Sequence, residues 1–150
     1  MYPAQRQVFE FFLAAARTQN KVVNLHTKGA EGDVLALLDR YKIQKAIIHW
    51  YSGPLDIFRE LVARGYTFTI GVEVLHSDLI QTLARELPLT QLLTETDNPG
   101  GLEWLTGARG WPRHLQQVVT AVAELRGMTE TAVTTTIRQN LAKLLGLDQN

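Results

Sequence analysis

Four short runs of branched and apolar residues at nearly equal intervals constrain this chain more than any other feature. They are Val22-Val23-Asn24-Leu25-His26, Ala46-Ile47-Ile48-His49-Trp50, Thr67-Phe68-Thr69-Ile70-Gly71 and Leu92-Leu93-Thr94-Glu95-Thr96, and their starts lie 24, 21 and 25 residues apart. Each interval has room for one strand, one helix and two short turns. The segments between the runs carry helical spacing: Val34, Leu38 and Tyr41; Leu55, Phe58 and Val62; Leu79, Ile80, Leu83 and Leu87. Strand alternating with helix at this period predicts successive βα units and a parallel sheet.

Further helices bracket the runs. One is predicted from Pro3 to Thr18, with Phe9, Phe12, Leu13 and Ala16 on one face and Pro3 in the opening turn, where a missing N–H costs nothing. Asn98 to Trp111 reads as a Gly/Pro-punctuated loop. A helix from Pro112 carries Leu115, Val118, Val119 and Val122 inward and stops at Gly127. Thr129 caps a last helix lined by Val133, Ile137, Leu141 and Leu144. No linker interrupts residues 1–150, so a single domain is expected, and 150 residues can bury about two-thirds of their unfolded surface. Periodicity leaves two architectures open. One is half of a (β/α)₈ barrel, a fold that usually takes about 250 residues; the other is an open four-stranded, flavodoxin-like sheet.

Composition narrows the chemistry. Cysteine is absent, which removes disulfides, thiolate metal sites and a cysteine nucleophile, and fits a cytoplasmic protein. No apolar run reaches the roughly 18 residues of a membrane span, and Met1-Tyr2-Pro3-Ala4-Gln5-Arg6 lacks the apolar core of a signal peptide. Fifteen basic residues balance fifteen acidic ones, so the basic footprint of nonspecific duplex binding is missing. A nucleic-acid substrate would be gripped locally, and small phosphate esters are equally admissible.

Three of the four runs end in, or lead directly to, a potential metal ligand: His26, His49 and Asp97. Functional sites of parallel sheets gather at the C-terminal ends of strands, where the connecting loops converge. Strand alternation turns Asn24 and Val22 to the same side as His26, and Glu95 and Leu93 to the same side as Asp97. Two imidazoles with carboxylates at one rim make a hydrolytic metal constellation. Hydrogen-bonded rim residues would show the same spacing.

Three segments then resemble a known family in order and interval. Val22-Val23-Asn24-Leu25-His26-Thr27-Lys28-Gly29-Ala30 resembles the histidine strand of TatD-like hydrolases. Ile48-His49-Trp50-Tyr51-Ser52-Gly53 resembles their His-aromatic-aromatic-Ser-Gly segment, and Leu92-Leu93-Thr94-Glu95-Thr96-Asp97-Asn98-Pro99 their Glu-Thr-Asp-x-Pro signature. The lead-in helix with Gln7 and Phe9 also agrees, as does the closing helix with Asn140 before Leu144-Leu145. The resemblance implies an amidohydrolase-type TIM barrel and metal-assisted hydrolysis, typically of DNA ends or other phosphodiesters. It implies that His26 and His49 bind a divalent metal (Zn²⁺, Mg²⁺ or Mn²⁺). Asp97 would serve a neighbouring metal position and handle the attacking water. Glu95 would hold a ligand imidazole in its tautomer.

The departures carry equal weight. Family members begin with a strand bearing His-x-His-x-Asp, and a later strand supplies a bridging glutamate; neither pattern occurs here. The resemblance therefore implies the later half of the barrel, four strands with flanking helices. Activity would need a complementing N-terminal fragment, or the chain would act as an assembly module, for instance as a homodimer. Lys28 stands where an arginine is usual and loses the bidentate fork; Tyr51 replaces a common phenylalanine. Secondary candidates are His76, near the third run, and His114, expected to be solvated in a helix's first turn. Trp50, Tyr51, Trp104 and Trp111 would either pack beneath the long loop or stack on a nucleobase, with Arg109 and Arg113 meeting a phosphate.

Overall fold

Strand and helix alternate along the chain as the spacing predicts. The computed structural model describes residues 2–147. The elements are α1 (Pro3–Thr18), β1 (Val23–His26), α2 (Glu31–Arg40), β2 (Ala46–His49), α3 (Leu55–Ala63), β3 (Thr67–Ile70), α4 (Asp78–Glu86), β4 (Leu92–Thr94), α5 (Gly100–Thr106), α6 (Leu115–Arg126) and α7 (Glu130–Leu145). Short 3₁₀ turns occupy Val72–Leu75, Leu89–Gln91 and Pro112–His114. The four strands follow chain order, β1-β2-β3-β4, and the pairs β1/β2 and β3/β4 are parallel. Two compact units divide the chain, Met1–Thr67 and Phe68–Asn150.

In the first unit, the pairing of β1 with β2 sets Val23 opposite Ala46 and His26 opposite His49. Burial alternates with period two. Ala46 and Ile48 are buried while Ile47 and His49 are half-buried; Val23 and Leu25 are half-buried while Asn24 and His26 are exposed. One face therefore packs and the other, bearing both histidines, stays more open. Helix α1 buries Leu13 and Ala16. Phe12 does not join them: it is 60% exposed beside Phe11 at 70%. At about 100° per residue Leu13 and Ala16 flank the direction of Phe9, and position 12 falls at the outer edge of that arc, beyond Ala16. Polar ties fix the helices. The Glu10 carboxylate accepts hydrogen bonds from Arg6 Nε (3.1 Å), the Tyr41 hydroxyl (3.1 Å) and Arg40 Nη1 (3.4 Å). Arg64 grips Asp39 through two bonds of 2.7 and 2.9 Å and so joins the end of α3 to α2.

In the second unit, Phe68 pairs with Leu92 and Ile70 with Thr94. Ser77 caps α4 by accepting from Ile80 N–H, and Arg126 of α6 donates to the carbonyls of Ala84 and Arg85 at the far end of α4. Helix α6 buries Val118, Val119, Val122 and Ala123, and Gly127 ends it in the left-handed conformation at φ +62°. Thr129 caps α7 as expected, its hydroxyl accepting from Ala132 N–H. The expected apolar stripe of α7 is only partly covered: Val133 is buried, Ile137 and Leu144 are half-buried and Leu141 is exposed. What fastens this helix is polar. Asn140 Nδ2 donates to the carbonyls of Leu89 (2.6 Å) and Leu92 (2.8 Å), at the entrance to β4.

The strands are shorter than the apolar runs that announce them. Val22, Trp50, Gly71, Glu95 and Thr96 lie outside the strand bounds. The backbone turns left-handed at Trp50 (φ +49°), directly after β2, and at Asp97 (φ +47°), beyond the end of β4 at Thr94. The segment from Asn98 to Trp111 is not all loop, since it contains α5. Pro99 precedes that helix and Gly107 closes it at φ +76°, so the turn residues bound a helix and do not exclude one. Among the described residues no helix is long and apolar enough to cross a membrane.

Candidate metal centre

His26 and His49 close β1 and β2 and are direct partners across the ladder. Equivalent positions on neighbouring parallel strands project to the same face. Their ring centroids lie 5.4 Å apart with the planes inclined at 47°. A metal–imidazole bond of about 2 Å limits two rings on one ion to a centroid separation of about 6.5 Å, and the observed spacing falls within that limit. The chemistry fits as well as the distance. His26 is exposed and His49 half-buried, on the more open side of the strands, where a ligand can enter.

The left-handed turn at Trp50 follows His49 directly. For a bulky residue this conformation costs about 1–2 kcal/mol. Here it folds the indole back: Trp50 is buried and its ring lies 6.4 Å from that of His49. The next residue, Tyr51, is buried too, and its hydroxyl donates to the Pro54 carbonyl at 2.7 Å. Burial, with the negative charges of Glu31 and Asp56, pushes the Tyr51 hydroxyl well above the ordinary phenol range. Across from it, Glu31 Oε1 accepts from Gly29 N–H at 2.9 Å. Spacing gave no sign of this role for Glu31, which spans the loops that follow the two histidines. A pocket beside His26 is lined by Asn24, Thr27 and Lys28, with Gln5 and Phe9 from α1. Asn24 was legible from strand alternation. Gln5 and Phe9 come from a distant part of the sequence, and nothing in the spacing connects them to His26.

Glu95 and Asp97 belong to the second unit. Glu95 N–H donates to the Ile70 carbonyl at 3.0 Å, continuing the strand pairing one residue past β4. Glu95 is half-buried and Asp97 exposed. The Asp97 carbonyl accepts from Gly101 N–H at 2.7 Å and so ties the turn to the start of α5. The structure brings His26 and His49 together within one unit. Among the described residues it contains no group of three or more His, Asp or Glu side chains able to hold a metal ion. Two imidazoles are one fewer than the three protein ligands that a catalytic zinc usually keeps.

The secondary candidates separate. His76 is exposed at the end of the Val72–Leu75 turn. His114 is not simply solvated: its Nδ1 accepts the Trp111 backbone N–H at 3.2 Å. Trp50 and Tyr51 pack inside, whereas Trp104 and Trp111 face solvent, 66% and 45% exposed. Packing therefore accounts for two of the four aromatic residues and not for the other two.

A family profile described as TatD related DNase matches residues 1–146. An uncharacterized metal-dependent hydrolase of Methanocaldococcus jannaschii is 29% identical over 143 residues, 95% of this chain and 56% of that protein. The human deoxyribonuclease TATDN3 is 30% identical over 141 residues, 93% of this chain and 51% of its own length. The chain thus spans about half the length of the curated relatives it matches. Among solved structures, the TatD homologue YjjV of Escherichia coli superposes with a TM-score of 0.80 at 24% identity, over 88% of this chain and 52% of that one. A TatD family hydrolase from Entamoeba histolytica gives the same TM-score at 12% identity, over 93% and 56%. The α/β arrangement of parallel strands is shared with these structures, and the chain belongs to the TatD-related DNase family.

Proposed function

We propose that this chain carries part of a metal-dependent phosphodiesterase centre that acts on DNA ends or smaller phosphodiesters. The observation that carries the reading is the His26–His49 pair, in register and 5.4 Å apart on the open face of β1 and β2. These two imidazoles would hold the divalent metal, which would supply Lewis acidity toward water and a phosphoryl oxygen. The family resemblance gives Asp97 the part of taking the proton of an attacking water, and Glu95 that of a supporting carboxylate, and these would be their roles here. Lys28, exposed beside His26, offers a positive charge to an anionic substrate. The deoxyribonuclease name of the human relative favours DNA over other phosphodiesters.

Full activity needs more than these residues. Two histidines leave the ligand set short by one, and the family resemblance places further ligands on strands of a TIM barrel whose later half this chain would form. A complementing N-terminal polypeptide, or a second copy, would cover the open strand face. The exposed Phe11 and Phe12 of α1 favour an assembly role as the second reading. The test of the first is release of nucleotides from single-stranded DNA with Mg²⁺, Mn²⁺ or Zn²⁺, by the chain alone and with a segment bearing the His-x-His-x-Asp strand. Cleavage that disappears in Asp97→Asn supports it. No cleavage under any of these conditions rejects it and leaves the assembly reading, which a monomer at high concentration in sedimentation would reject in turn.

A further inference from the structure

Arg109 and Arg113 converge on one indole. The Arg109 guanidinium carbon lies 5.1 Å from the Trp111 ring centroid, and that of Arg113 lies 5.8 Å from it. Neither guanidinium has a carboxylate partner or a hydrogen bond among the described residues; the indole is what they share. Two like charges gathered at a half-exposed aromatic face, with no counter-charge, form a local positive field on a protein whose net charge is zero. From Pro99 to Leu115 the sequence holds a single acidic residue, Glu103.

The arm that carries them is built and not slack. Gly110 N–H donates to the Pro99 carbonyl at 3.2 Å. A Cβ at Gly110 would stand 2.6 Å from Asn98 Oδ1 and 2.8 Å from the Pro99 carbonyl oxygen, so only glycine allows this approach. Pro112 restricts the backbone after Trp111, and His114 Nδ1 holds the Trp111 N–H. The Arg109–Arg113 arm is thereby pinned to the turn that begins at Asp97. Trp104, on the short helix that starts from the same turn, presents a second exposed indole.

We infer that Trp111 with Arg109 and Arg113 forms a nucleotide subsite, the indole stacking on an unpaired base while the two guanidiniums hold the adjacent phosphate. This rests on the phosphodiesterase reading for its biological purpose, but the binding itself needs no metal and no cleavage. The ligand chemistry follows from the parts. A flat ring matches the indole face, an anion matches the paired arginines, and a single strand offers both at the spacing of one nucleotide. A duplex hides its base faces and would gain only the charge.

The experiment is fluorescence anisotropy of a labelled oligothymidylate with the full chain in EDTA, so that hydrolysis is excluded. Trp111→Ala should weaken binding about 5- to 150-fold, the loss expected for one stacked base, while Trp111→Phe keeps most of the affinity. Arg109→Gln and Arg113→Gln should each weaken binding and lower the salt slope by about 0.7. Arg138→Gln, on α7, should change neither. Unlabelled polyphosphate should compete poorly, because it lacks the base. Absence of oligothymidylate binding by the wild-type chain overturns the inference. So does equal affinity of the wild type, Trp111→Ala and Trp111→Phe, or polyphosphate competing as well as oligothymidylate. Should Trp111→Ala not fold, the two arginine variants and the polyphosphate competition decide. Binding with these signatures but no metal-dependent cleavage would keep the subsite and sink the hydrolase reading; cleavage unaffected by all three variants would do the reverse.

Discussion

Gly53 and Glu31 meet so closely that a Cβ at position 53 would lie 2.6 Å from Glu31 Cγ. The same Cβ would be 2.9 Å from the Tyr51 hydroxyl. The contact joins the loop that follows His26 to the loop that follows His49, so the glycine of the His-Trp-Tyr-Ser-Gly segment is fixed by space and not by backbone conformation.

Gly53→Ala should therefore destabilise the protein by about 1–3 kcal/mol, as overpacking does. Adding Glu31→Ala to the same chain should recover part of the loss, since the two changes share one contact. Urea denaturation of the single and double variants measures both. A Gly53→Ala protein as stable as wild type would contradict the packing described.

Asn140 is held to a stricter requirement than its helical position suggests. Its amide bonds two carbonyls at the entrance to β4. Asn140→Ala should cost about 1–3 kcal/mol, because carbonyls lose their donor where water replaces it poorly. Asn140→Asp should cost more at neutral pH, with a carboxylate facing two carbonyl oxygens. Thermal melts rank the three proteins, and an order with aspartate above alanine would refute the assignment.

The alkaline limit of stability follows from Tyr51 and Tyr66. Both hydroxyls are raised above the ordinary phenol value, chiefly by burial, and then by Glu31 and Asp56 for Tyr51 and by Asp39 for Tyr66. The fold therefore favours the neutral phenols. Their contribution is complete below the unfolded value of about pH 10 and is lost as pH rises through the raised folded values. Stability should be level from these groups up to about pH 9 and fall above pH 10. Tyr51→Phe should lose its bond to Pro54 at neutral pH, about 1 kcal/mol, yet show a shallower alkaline decline. Ordinary phenolate titration of both residues in the folded protein, followed by absorbance, would remove the basis for this.

Much of this arrangement is legible in the sequence. The four runs, their intervening helices and the C-terminal placement of both histidines follow from periods of 2 and 3.6, and the Gly127 stop and Thr129 cap follow from local chemistry. Three kinds of feature are not. The end of β2 depends on a left-handed turn at Trp50, a residue that gives no glycine-like warning of it. Helix α5 hides behind Pro99, Gly100 and Gly101, whose composition argues for loop. The contacts of Glu31 with Gly29 and Gly53, and of Asn140 with Leu89 and Leu92, join positions whose meeting no periodicity encodes.

Metal binding by the isolated chain tests the central claim most directly. Titration calorimetry with Zn²⁺, supported by the visible spectrum of the Co²⁺ form, should find one ion per chain. Affinity should fall at least about tenfold in His26→Ala and again in His49→Ala, the loss typical of removing a group that a metal site depends on. His114→Ala, whose ring serves the Trp111 backbone, should bind as wild type does. A wild-type chain that takes up no ion, or histidine variants at 26 and 49 that bind it unchanged, would contradict the account.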